Sequence, residues 1–114
     1  MSATIFRGSS AFNPPMLTVD DAGWVYEGAP VFGAPIMKIA GDSIYRGSTS
    51  WGEPLATVKG RHIYKGTGFL SAPIATVSGE YVYKGASAWL APIATIRGGG
   101  KKAALAAAAY LLLY

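Results

Sequence analysis

The stretch His62–Tyr81, HIYKGTGFLSAPIATVSGEY, is followed at once by Val82–Gly100, VYKGASAWLAPIATIRGGG, which restates it almost residue for residue. Aligning the rest of the chain on the same pattern yields five units: IFRGSSAFNPPMLTV (5–19), VYEGAPVFGAPIMKI (25–39), IYRGSTSWGEPLATV (44–58), IYKGTGFLSAPIATV (63–77) and VYKGASAWLAPIATI (82–96). Their anchoring ring recurs at Phe6, Tyr26, Tyr45, Tyr64 and Tyr83, in steps of 19 residues after a first step of 20. Gly8, Gly28, Gly47, Gly66 and Gly85 follow each anchor, and Pro15, Pro35, Pro54, Pro73 and Pro92 follow the glycines, always in register. A repeat of this length is one supersecondary unit that cannot bury its apolar face alone and does so against its neighbours.

Each unit contains two short runs with β character. The first is aliphatic-Tyr-charged, as in Ile63-Tyr64-Lys65; the second follows proline, as in Ile74-Ala75-Thr76-Val77. β-Branched and aromatic residues bounded by Gly and Pro predict strands. Between units, Gly41-Asp42, Gly60-Arg61 and Gly79-Glu80 suit two-residue type II′ turns, which predicts antiparallel hairpins spanning the unit boundaries. The first such segment, Asp20-Asp21-Ala22-Gly23, is one residue longer and predicts a bulged turn. Proline cannot donate to a ladder and marks the start of the second strand. The large residues before it (Phe12, Phe32, Trp51, Phe69 with Leu70, and Trp89) are expected to pin each connection to the core. The alternative is a repeated exposed row on which sugars or bases could stack.

After Gly98-Gly99-Gly100, a hinge, the composition changes to KKAALAAAAYLLLY (101–114). Ala and Leu predict a helix from Lys101 to Tyr110 or beyond. From Ala103 onward it has no charge and no polar face, so something apolar must surround it. Twelve residues rise about 18 Å, short of the roughly 30 Å hydrocarbon layer, which disfavours a membrane span. The expected fold is therefore mostly β with one C-terminal α-helix, in a single domain over 1–114. Five β repeats (5–97), about ten short strands in a hairpin meander, close into a barrel-like sheet around the buried apolar helix. Ala104, Ala106, Ala107, Ala108 and Ala109 would let the helix backbone approach the inward side chains. The rival is a β-solenoid with a helical cap. It would stack Arg46, Lys65 and Lys84 in a ladder of like charges, which is unfavourable.

There is no cysteine, which excludes disulfides, thiolate metal sites and a cysteine nucleophile. The start, MSATIFRGSS, lacks the features of a secretory signal, so cytoplasmic residence is expected. Ten Lys/Arg against six Asp/Glu give a net charge of +4. Arg7, Lys38, Arg46, Lys59, Arg61, Lys65, Lys84 and Arg97 are spread along the repeats and only Lys101 and Lys102 adjoin, which reads as a solvated surface with no specific nucleic-acid signal. His62 is the only histidine, and no carboxylates stand at ligand spacing from it. Asp20 and Asp21 are assigned to the longer turn. GGGKK lacks the spaced pattern of a phosphate loop. No catalytic residue, metal or cofactor is expected.

These features predict a non-enzymatic structural or binding module. Its candidate surface comprises Tyr45, Tyr64, Tyr83, Trp51, Trp89, Arg46, Lys65 and Lys84, presented to a polymer or an acidic protein partner. Two alternatives remain at this level: a membrane-associated protein inserting 103–114, and a small hydrolase-like enzyme centred on His62. A structural role for the tyrosines, with buried rings and hydroxyls at the rim, is favoured because Phe6 replaces one of them.

Overall fold

A computed structural model describes residues 3–8, 14–28, 33–47, 52–67, 72–85, 91–98 and 101–113. In chain order these form β1 (Ala3–Arg7), β2 (Leu17–Val19), β3 (Trp24–Glu27), β4 (Met37–Ala40), β5 (Ser43–Arg46), β6 (Ala56–Lys59), β7 (His62–Lys65), β8 (Ala75–Ser78), β9 (Tyr81–Lys84), β10 (Ala94–Arg97) and α1 (Lys101–Leu112). Each strand pairs antiparallel with its sequence neighbours, and β1 pairs with β10, so the sheet closes into a barrel. A solenoid, whose coils stack in parallel, is therefore not formed.

Turn chemistry sets the register. Gly41, Gly60 and Gly79 have φ of 62°, 64° and 61°, and no described non-glycine residue has positive φ. A loop with positive φ at its first residue only is the type II′ turn that the Gly-X pairs predict. The longer first turn is bulged: Asp20 N donates to Trp24 O (3.0 Å), Gly23 N donates to Asp20 O (3.1 Å), and Gly23 has φ of 93°. The Asp20 carboxylate holds it by accepting from Ala22 N (3.0 Å) and Trp24 N (2.9 Å). This is the turn role expected of that aspartate.

The core has two layers. From the wall, Ile5, Val25, Ile44, Ile63 and Val82 point inward with Val19, Ile39, Val58, Val77 and Ile96. Along the axis lies α1, with Ala103 to Ala109 all at most 1% exposed. Ten strands about 4.8 Å apart and tilted by about 40° place the wall roughly 10 Å from the axis. A helix is about 10–12 Å across with its side chains, so only about 5 Å per side remains for the inward residues. Alanine is the residue that fits this gap while still favouring helix. At the wall position facing the helix near one mouth, Ala56, Ala75 and Ala94 line one side, whereas Leu17 and Met37 fill the other.

The barrel wall encloses Ala103 to Ala109, so most of the apolar segment that the membrane alternative requires is already covered by protein. No described helix is long and apolar enough to cross a membrane.

Two substitutions test this architecture by thermal or urea unfolding. A Cβ at Gly23 would lie 2.4 Å from the Ile39 carbonyl oxygen, whereas one at Gly79 meets nothing within 4 Å. Gly23→Ala should cost roughly 3 kcal/mol or more, and Gly79→Ala about 1 kcal/mol from its φ alone. Ala107→Leu, nearly neutral for helix propensity, should destabilise by about 1–3 kcal/mol through overpacking. An Ala107→Leu protein as stable as the parent would mean that the helix is not tightly enclosed.

Candidate functional site

Cross-strand partners project from the same face of a sheet, so the register assigns every repeated side chain to the inside or the outside of the barrel. The anchor rings Phe6, Tyr26, Tyr45, Tyr64 and Tyr83 lie opposite Thr95, Thr18, Lys38, Thr57 and Thr76. These pairs share the outer wall. The charged residue after each ring has the other parity: Arg7 opposes Ala94, Glu27 opposes Leu17, Arg46 opposes Met37, Lys65 opposes Ala56 and Lys84 opposes Ala75. Their partners are all buried core residues, so these five face the axis where the strands end. They form a charged ring around one mouth of the barrel.

On the outer wall the threonines form a belt. Thr18, Thr57, Thr76 and Thr95 donate their hydroxyls to the carbonyls of Gly28, Gly66, Gly85 and Gly8, each at 2.8 Å. All four are buried, so each bond satisfies a hydroxyl that would otherwise lack water. Lys38 takes the fifth position. Its ammonium lies 4.2 Å from the Trp24 ring centroid and donates to the Ala22 carbonyl in the long turn. The tyrosine rings are half-buried beside this belt, with Tyr81 and Tyr83 in edge contact at 6.4 Å.

Helix α1 runs from the turn end of the barrel to this mouth. Lys102 shares one pocket with Asp20 and Asp21 and a second with Asp42 and Lys59, which places the first turn of the helix among the tight turns. At the other end Tyr110 donates to the Glu27 carboxylate (2.5 Å), and Leu112 and Leu113 share a cleft with Lys65. Arg7, Arg46, Lys65 and Lys84 are exposed around the helix C-terminus. The partial negative charge of that terminus favours cations there. Cations that are spread along the sequence are thus gathered in space by the repeat. The column itself is visible in the aligned units, as the residue after each anchor ring, but that it closes into a ring around one mouth follows only from the register and the closure of the sheet.

The candidate surface residues consequently divide between two faces. Tyr45, Tyr64 and Tyr83 belong to the outer wall, and Arg46, Lys65 and Lys84 to the mouth. Trp51 and Trp89 lie outside the described residues, as do Phe12, Phe32, Phe69 and Leu70. His62 is half-buried on the outer wall, opposite Thr76 on one side and Lys59 on the other. Among the described residues no three His, Asp or Glu side chains are grouped to hold a metal ion. The threonine belt escaped the sequence reading, although its signal was present: one column holds threonine in four of five units.

A closed antiparallel barrel made from one repeated hairpin motif and threaded by a helix defines a repeat protein whose class is set by architecture. Residues 5–113 match the family model described as 6-fold beta flower protein, and the chain belongs to that family. The described residues form five repeats, one fewer than the count in that description. Neither a curated protein nor a solved structure matches the chain.

The belt can be tested through Thr76→Val, which keeps the shape and removes the donor to Gly85. It should destabilise by about 1–3 kcal/mol in urea unfolding, because the glycine carbonyl loses its partner. No loss of stability would mean that water replaces the hydroxyl there.

Proposed function

We propose that this protein is a non-enzymatic binding module whose charged mouth receives an acidic segment of a protein partner. One observation carries the reading: the same column of the repeat supplies Arg7, Arg46, Lys65 and Lys84, all exposed and all arranged around one helix end. The ring sets these four cations against one carboxylate, Glu27, whose oxygen accepts from Tyr110, so its net field is positive and favours an anionic partner. The turn end is mixed, with Asp20, Asp21, Asp42 and Glu80 beside Lys59, Arg61, Arg97 and Lys102, so its acids and bases are interspersed and it offers no comparable field. Recognition by base stacking is disfavoured because the anchor tyrosines Tyr26, Tyr45, Tyr64 and Tyr83 occupy the outer wall, on the opposite side of the strands from the ring of cations at the mouth.

Fluorescence anisotropy with labelled poly-L-glutamate provides the test. The full chain should bind at low ionic strength and release the polymer as salt rises. Lys65→Glu combined with Lys84→Glu should weaken binding roughly tenfold or more, whereas Lys59→Glu combined with Arg61→Glu should leave it nearly unchanged. Equal loss in both double variants, or no binding at low salt, would refute the mouth as the site. Binding of heparin but not of poly-L-glutamate would assign the mouth to a polyanionic polymer in place of a protein.

A further inference from the structure

At one point on the rim the mouth offers more than charge. A cleft of about 500 Å³ opens between the third repeat and the end of the helix, lined by Glu53, Pro54, Leu55, Lys65, Gly66, Leu112 and Leu113. This volume falls within the range of about 300–1,000 Å³ typical of small-ligand pockets. Its apolar surface comes from Pro54 and Leu55 on the barrel side and Leu112 and Leu113 on the helix side. The main-chain groups of Gly66 are already engaged: its N–H donates to Leu55 O (2.8 Å) and its carbonyl accepts from Thr57 (2.8 Å). The charges in the lining are the ammonium of Lys65 and the carboxylate of Glu53.

We infer that this cleft takes a single apolar side chain of the acidic partner segment, with the neighbouring acid of that segment paired to Lys65; the inference rests on the proposed function of the mouth. The cleft does not continue into the lumen as a channel for a long acyl chain, because Ala103 to Ala109 fill the barrel. An apolar side chain would bury Leu112 and Leu113, which are half-exposed at the helix end. Glu53 supplies direction. An acid on its side of the apolar residue would be repelled, so the preferred segment carries its acids on one side only. Charge from the ring and one apolar anchor from the cleft together specify a short acidic-apolar motif, as opposed to any polyanion.

Four fluorescein-labelled peptides test this against the full chain. Two carry three glutamates on one side of a single leucine, in the two chain orders, and two replace that leucine by glycine. One leucine order should bind roughly tenfold more tightly than its glycine control, and the opposite order should gain much less. Leu113→Ser should abolish the leucine gain while the affinity for the glycine peptides stays unchanged, which also shows that the variant is folded. A leucine gain that survives in Leu113→Ser, or no gain in either order, overturns the cleft while leaving the charged mouth intact. Failure of all four peptides at low salt would overturn the parent reading instead.

Discussion

The whole structure depends on filling the centre of a ring of ten strands. Eight strands leave a lumen that their own side chains can occupy, and ten leave too much. None of the hairpins has a second layer of its own, so each depends on α1 for its inner contact. The strands are three to five residues long, which limits the wall to about 10–17 Å in height. The helix, about 18 Å long, therefore protrudes slightly at both ends. That excess explains why Lys102 is exposed at the turn end and why Leu111 to Leu113 emerge, half-covered, at the mouth.

Much of this was legible because the constraints are local or repeated. Gly-X pairs announce type II′ turns, the extra residue in Asp20 to Gly23 announces a bulge, and an apolar alanine-rich tail without a polar face announces enclosure. The distribution of charge was not legible. Arg7, Arg46, Lys65 and Lys84 are separated by whole repeats, and only closure of the barrel turns their spacing into a ring. The tyrosines and the basic residues beside them look like one surface in the sequence, yet alternation along the strand sends them to opposite sides of the wall. The threonine hydroxyls were hidden for another reason. Their partners are the carbonyls of the glycines just past the end of the neighbouring strand, and a single sequence does not show which backbone groups lack a donor.

Deviations from the repeat are as informative as the repeat itself. A nearly pure alanine helix inside a quasi-fivefold wall has little steric preference for one rotation over another. Glu27 breaks that symmetry, because it alone among the five mouth positions can accept the Tyr110 hydroxyl. The bond selects one setting in the way that a lone polar residue fixes register in a coiled coil. Lys38 marks the same repeat on the outer wall, where it reaches the carbonyl that the longer turn leaves exposed. Leu17 and Met37, standing where the last three repeats have alanine, fill the side of the lumen toward this repeat.

The seam between β1 and β10 is chemically the same joint as those within the chain. Thr95 bonds Gly8 across 87 residues with the geometry by which Thr76 bonds Gly85 across nine. During synthesis, however, the two joints differ greatly. The first strand emerges early and must hold an unpaired edge until the fifth repeat and then the helix have left the ribosome. Every partial ring has two open edges and an empty centre, the features that promote sheet-to-sheet association between chains. In this fold the helix that allows the wall to settle is made after all ten strands, so vulnerability to aggregation is concentrated in the interval between synthesis of the fifth repeat and synthesis of the helix.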